Sequence, residues 1–165
     1  MEIKFCPQCG FKLKAQIIGD EGEVPFCSQC SRPWFGFSYP CIIALVVNEI
    51  GKIALLRQSY GDPGRYVFVA GYIKPGERAE DAVCREVREE LGLEVERVKY
   101  INSYYFEKHD NLMLGFVCRA LNSGFTLSCE VETADWFSIQ EALNKLKDGS
   151  IARSLLLDYL KQENL

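Results

Sequence analysis

No apolar run in the 165 residues approaches the roughly 20 needed to span a membrane, so no membrane partner is expected. The opening "MEIKFCPQCG" lacks the charged start, apolar stretch and small-residue cleavage site of a signal peptide, which points to a cytoplasmic protein. Positive charge is in deficit. Nineteen Lys and Arg stand against 23 Asp and Glu, a net charge of −4, which argues against binding nucleic acid through a general basic surface. There is one histidine, His109, in a polar stretch between strand-like segments, and it reads as an exposed loop residue ahead of a proton shuttle. Repeats and low-complexity tracts are absent. The remaining composition, 48% apolar and 25% charged, is that of a soluble globular chain long enough for one substantial domain and a small module.

Cysteine, by contrast, is plentiful at eight residues. Four of them form two pairs, Cys6-Pro-Gln-Cys9 and Cys27-Ser-Gln-Cys30; Cys41, Cys84, Cys118 and Cys129 are scattered singly among apolar neighbours and read as core or near-core thiols. Structural Zn²⁺ takes four ligands at tetrahedral corners, and two facing CxxC turns of thiolates complete such a shell. The other reading, a pair of disulfide or redox CxxC motifs, fits a reducing compartment less well. Between the pairs, "GFKLKAQIIGDEGEVPF" reads as two short strands around the turn "GDEGE". Residues 1–35 thus resemble a zinc ribbon, followed by the connector "SRPWFGFSYP". A closed shell makes this metal structural. Lys4, Lys12, Lys14 and Arg32 are too sparse a basic set to argue for nucleic acid.

Residues 36–165 read as an α+β domain. "CIIALVVN" and "KIALLRQ" make a hairpin around "EIG", and "RYVFVAG", "VERVKYINSYYF", "NLMLGFVCRA" and "DWFS" are further strands. A helix is expected over 77–91 with Gly92 as its stop, and two more close the chain, one behind a Ser138/Glu141 capping box and one capped by Ser150. Around the first helix, Val83, Cys84, Val87 and Leu91 make the core stripe, while Asp81, Arg85 and Arg88 lie on the opposite, solvated side. Glu86 and Glu90 fall at the border of the apolar stripe, with Glu89 one step round. A salt-bridged surface helix accounts for Arg85 and Glu89 as an i,i+4 pair. It does not account for carboxylates at the core edge, where three of them repel unless a cation such as Mg²⁺ lies between.

The same residues resemble the Nudix hydrolase motif. Gly71, Glu77, Arg85-Glu86-Val87, Glu89-Glu90 and Gly92-Leu93 occupy its positions, and Pro63 to Gly71 resemble the strand that leads into it. The resemblance implies a Nudix fold, a mixed sheet sandwiched by helices, and hydrolysis of a nucleoside diphosphate linked to another moiety with Mg²⁺ or Mn²⁺. It implies that Glu86, Glu89 and Glu90 hold the metals, joined by the Gly71 carbonyl. Arg85 would orient the glutamates through Glu89, and Glu77 would be structural or an outer partner.

A ribbon directly before such a domain is the arrangement of the NADH pyrophosphatases, as are "SYP", "LLRQ" with Arg57, and "EVETADWFSIQEAL", whose Glu130 implies a further metal ligand. Those enzymes usually carry an extra N-terminal domain, and this sequence starts at the ribbon. Their signature Ser-Gln-Pro-Trp-Pro-Phe-Pro-any-Ser before Leu-Met is replaced by "SYYFEKHDNLM", which keeps Ser103 and Leu112-Met113 and puts Phe106 in the tryptophan's place. Arg57, Tyr104 and Phe106 are the candidate substrate contacts, with core packing the competing role for the strand aromatics. The reading is a diphosphatase acting on an NADH- or NAD-like dinucleotide or ADP-ribose and releasing a nucleoside monophosphate, expected by resemblance to be a homodimer. The alternatives are a nucleotide-sensing binding module and removal of a nicotinamide dinucleotide cap from RNA, the latter disfavoured by the low basic charge.

Overall fold

The computed structural model describes residues 3–60 and 64–164 and falls into two units, Met1–Ser38 and Tyr39–Leu165. In the first unit, β1 (Lys14–Ile17) and β2 (Glu23–Cys27) run antiparallel, with Lys14 opposite Phe26 and Ile17 opposite Glu23. A 3-10 turn at Gly19–Glu21 joins them, as the "GDEGE" segment predicts. A third strand, β3 (Arg32–Pro33), pairs with β2 inside the stretch read above as connector. Two residues are too short to leave a strand pattern in sequence.

The second unit is built on a six-stranded sheet. Its strands are β4 (Tyr39–Val47), β5 (Ile53–Gln58), β6 (Val69–Tyr72), β7 (Val95–Phe106), β8 (Asn111–Ala120) and β9 (Val131–Phe137). The order is β7-β8-β4-β5-β9, with β6 also on β4; β4 and β8 are parallel and the other pairs antiparallel. β4 pairs with β6 over Cys41–Ala44 and with β5 only at Val47, so one edge of this central strand serves two partners.

The near-continuous apolar run of β4 is that of a strand covered on both faces. Ile42, Ala44 and Val46 pack with Val83, Val87 and Leu91 of α1 (Ala79–Leu91). Cys41, Ile43 and Leu45 pack the other way, with Ala142 of α2 (Ile139–Lys145) and Leu155 and Leu156 of α3 (Ile151–Glu163). Alternate residues thus feed two cores, and each fully buried Val or Leu stabilises by about 1.5–3 kcal/mol. This is the expected mixed sheet between helices.

Helix α1 starts two residues later than expected. Gly76 turns the chain at φ +80°, and Glu77 folds back so that its Oε2 accepts a hydrogen bond from the Lys74 N–H at 2.9 Å, leaving Arg78 as an extended N-cap. The C-terminus is as expected: Gly92, at φ +67°, donates its N–H to Arg88 O at 3.0 Å. The Ser138/Glu141 capping box forms, and Ser150 Oγ accepts from the Arg153 N–H.

Candidate functional site

In the first unit the four paired cysteines come together. Their sulfurs all lie within 4.8 Å of one another, with Cys6–Cys30 at 3.9 Å and Cys9–Cys27 at 3.6 Å. Four thiolates about 2.3 Å from a central zinc would be about 3.8 Å apart. Gly10 forms the first knuckle at φ +74°, donating its N–H to Cys6 O at 2.8 Å. In the second knuckle Ser31 adopts φ +52° in the corresponding place, so the missing glycine does not prevent the turn. The cluster is compatible with a zinc ribbon.

In the second unit α1 lays its carboxylates along a cleft of ≈ 560 Å³, where Glu86, Glu89 and Glu90 meet Gly71 of β6 and Glu130 of the loop before β9. Burial grades them. Glu90 is 6% exposed, the Glu86 side chain 14% and the Glu89 side chain 53%, matching their placement round the helix axis. Glu90 Oε2 is buried with no hydrogen-bond partner. Burial, then the charges of Glu86, Glu130 and Glu89, push its carboxyl up to about 8. Burial likewise raises Glu86, against the pull of Arg85. A buried carboxylate without a partner is costly, and a hard divalent cation offsets that cost directly. Carboxylate and carbonyl oxygens are the donors that Mg²⁺ and Mn²⁺ prefer. The residues present fit such an ion, although among the described residues only the cysteines bring three or more ligand atoms within 4.8 Å of one another.

Arg85 draws Glu86 and Glu89 to one guanidinium at the side of the cleft. The wheel puts it on the solvated face, but the structure folds its side chain back until it is 18% exposed. Its Nε and Nη2 donate to Glu77 at 2.7 and 2.9 Å, Nη1 to Glu86 at 2.6 Å and Glu89 at 3.1 Å, and Nη2 also to Tyr72 O at 3.0 Å. Every donor of the guanidinium is used. The physical reason is the convergence of three carboxylates and a carbonyl within reach of one planar fork. The Glu89 pair seen in the sequence is present but is the longest of these bonds. Glu77, just outside the helix, is held well below the usual carboxylate range, at about 2, by Arg85 and then by the Lys74 N–H.

The three candidate substrate contacts do not line this cleft. Tyr104 stands opposite Met113 on the side of the sheet that α3 covers, and its hydroxyl donates to Asp158 at 2.9 Å. Arg57 Nε donates to Thr133 Oγ1 at 3.0 Å, with its guanidinium 5.7 Å from the Tyr66 ring centre. Phe106 is 39% exposed, its ring 5.4 Å from that of exposed His109. Cys41 and Cys118 are buried as expected and Cys84 is partly buried, but Cys129 is exposed and lines the cleft. The turn that presents Glu130 lifts its neighbour out of the core. Pro63, at the start of the stretch leading to Gly71, lies outside the described residues.

The cleft also has walls the sequence reading passed over. Tyr72 follows Gly71 directly and could have been taken with it. Asn111, 8% exposed with an unpartnered Oδ1, is a polar residue heading an apolar strand, which reads equally as a turn end. Tyr60 carried no signal; burial and then the charges of Glu130 and Glu90 raise its hydroxyl above the ordinary range.

A family model described as the NUDIX domain matches residues 39–159. Among curated proteins, the NAD-capped RNA hydrolase NudC of Pseudomonas aeruginosa is 35% identical over 162 residues, covering 98% of this chain and 57% of that protein. The protein of the same name from Vibrio parahaemolyticus is 31% identical, covering 93% and 58%, and a human NAD-capped RNA hydrolase is 33% identical, covering 88% and 33%. The chain thus spans little more than half the length of the bacterial relatives. A NUDIX hydrolase structure from Nitrosomonas europaea superposes with a TM-score of 0.79 at 21% identity, covering 98% of this chain and 93% of that one. An ADP-ribose pyrophosphatase from Streptococcus suis reaches 0.62 at 23% identity over 78% and 94%. These two share the fold. With its family model running from the first strand of the second unit into its last helix, this chain belongs to the Nudix family.

Proposed function

We propose that this chain hydrolyses a diphosphate linkage in a nucleoside diphosphate derivative, an NADH- or NAD-like dinucleotide or ADP-ribose, and releases a nucleoside monophosphate. The observation that carries the reading is the buried, unpartnered Glu90 carboxylate in a cleft whose other walls include Glu86, Glu89 and Glu130. Glu86, Glu89, Glu90, Glu130 and the Gly71 carbonyl would hold Mg²⁺ or Mn²⁺. Such ions, when bound, neutralise phosphate oxygens and make the attacking water more acidic. Arg85 keeps Glu86 and Glu89 oriented, and Glu77 keeps Arg85 oriented. A glutamate of α1 or of the loop carrying Glu130 takes the proton of the water. The four cysteines would hold a structural Zn²⁺. We propose a cytoplasmic protein and, in line with the resemblance, a homodimer. No helix among the described residues is long and apolar enough to cross a membrane.

The names of the relatives favour a second substrate, RNA carrying a nicotinamide dinucleotide cap, cleaved at the same linkage with a larger leaving group. One panel tests both: NADH, NAD⁺, ADP-ribose, diadenosine polyphosphates, FAD and NAD-capped RNA with Mg²⁺ or Mn²⁺, products resolved by chromatography. Cleavage of a dinucleotide or ADP-ribose to a monophosphate is expected. A panel left intact by the folded protein would overturn the assignment.

A further inference from the structure

The loop that brings Glu130 to the cleft is held through its backbone. Among the described residues no hydrogen bond or ion pair engages the Glu130 carboxylate, so its aim depends on where its main chain is fixed. Ser59 fixes it twice: the Ser59 N–H donates to Glu130 O at 2.9 Å, and Ser59 Oγ donates to Cys129 O at 2.9 Å. Ser128 completes the hold, its Oγ accepting from the Glu130 N–H at 3.3 Å and its own N–H donating to Glu90 O at 3.2 Å.

The sheet makes this arrangement possible. Arg57 of β5 faces Thr133 of β9, but Gln58 faces Val131, so Glu132 is left over as a bulge. A bulge bends its strand and re-aims the residues beside it. Here it turns the start of β9 so that the residues before Val131 run past the end of β5, where Ser59 is the first residue beyond the strand. The loop is thereby stitched to β5 on one side and to α1 on the other, and Glu130 and Glu90 face the same space.

From this geometry we infer that Ser59 is a positioning residue for Glu130: its hydroxyl sets where the carboxylate enters the cleft, and hence how tightly a divalent cation is held there. The inference rests on reading Glu130 as a metal ligand. The hydroxyl has one proton and gives it to Cys129 O; alanine cannot, threonine can. The backbone bond to Glu130 O survives either change, and Ser59 is exposed, so both variants keep the fold.

The test is Mn²⁺ binding to the full chain with zinc in its cysteine cluster, read from the free-ion paramagnetic resonance signal. Ser59→Ala should weaken Mn²⁺ binding about tenfold, the low end of what partners behind a ligand contribute, and Ser59→Thr should restore it. Glu130→Gln is the reference. If Glu130→Gln weakens binding and Ser59→Ala does not, the positioning role is overturned while the metal site stands. If Ser59→Thr fails as badly as Ser59→Ala, the hydroxyl is not the agent. If Glu130→Gln changes nothing, Glu130 is not a ligand and the inference falls with that reading.

Discussion

Gly71 and Glu86 compete for one volume: a Cβ on Gly71 would lie 2.6 Å from Glu86 Oε2 and closer still to the carboxylate carbon. The glycine is there for clearance, since its φ is outside the left-handed region. Gly71→Ala should therefore displace Glu86. Misplacement on the ångström scale costs about 10²-fold in turnover, and overpacking about 1–3 kcal/mol of stability. Adding Glu86→Ala removes the group that is struck and should return most of the stability but none of the turnover. Thermal unfolding of single and double variants checks this; a double variant no more stable than Gly71→Ala would place the clash elsewhere.

Arg85→Lys keeps the charge and loses the fork. An ammonium offers three donors from one point, so it cannot reach Glu77, Glu86, Glu89 and Tyr72 O together. We expect a folded protein with kcat reduced by about 10- to 100-fold, the usual cost of losing a partner that orients ligands. Steady-state kinetics with saturating Mg²⁺ decides it, and unaltered kcat would show that the clasp is only structural.

The Arg85 clasp also has a pH signature. Glu77 titrates at about 2 instead of 4.5, so folding favours its charged form. Its contribution is complete above 4.5 and is lost as pH falls towards 2. Glu77→Gln should lower the urea midpoint at neutral pH, and the gap from the parent protein should close on acidification across that window. A constant gap would mean that the glutamine disturbs packing instead of removing a charge.

Residue identity at fixed spacing was enough to find Glu86, Glu89 and Glu90, because one helix places them and its periodicity is regular. The hairpin of β4 and β5, the Gly92 stop and the Ser138/Glu141 box were legible for the same local reason. Arg85 stood in the same motif with its Glu89 pair, but its inward fold onto Glu77, Glu86 and Tyr72 O was not legible, since a long side chain can fold back towards partners eight residues earlier. Tyr60, Asn111 and Cys129 reach the cleft through strand register and a bulge, neither of which leaves a local pattern. For the aromatics of "SYYF" stacking and core packing were equally open from sequence. Register decides for Tyr104, sending it towards α3 and Asp158.

Glu90 should separate stability from function. Its carboxyl is buried with one oxygen unpartnered and pushed up to about 8, so only above that pH does the protein without divalent cation carry a costly charge. Glu90→Gln removes that charge at nearly constant shape. We expect it to stabilise the protein by about 1–2 kcal/mol, a few degrees in Tm, in buffer without added Mg²⁺ or Mn²⁺ at a pH above 8, with the gain shrinking towards neutral pH where the parent carboxyl holds its proton. The same change should lower turnover by about 10²–10³-fold. A variant less stable than its parent would mean that Glu90 already has a partner in the free protein.

The cysteine cluster should decide whether the first unit folds at all. Among its described residues only Cys6, Val24 and Cys27 are buried apolar side chains, and two of the three belong to the cluster itself. A unit of this size without a core depends on a staple, and binding of structural zinc is then largely folding free energy. The purified chain should carry one zinc, measured by elemental analysis. Cys27→Ser should lose it and, in hydrogen exchange, lose the protection of β1 and β2, while the amides of β4 and β8, central in the larger sheet, keep theirs. Strands β1 and β2 protected in a zinc-free chain would show that the sulfurs pack as an apolar core and that no metal is needed.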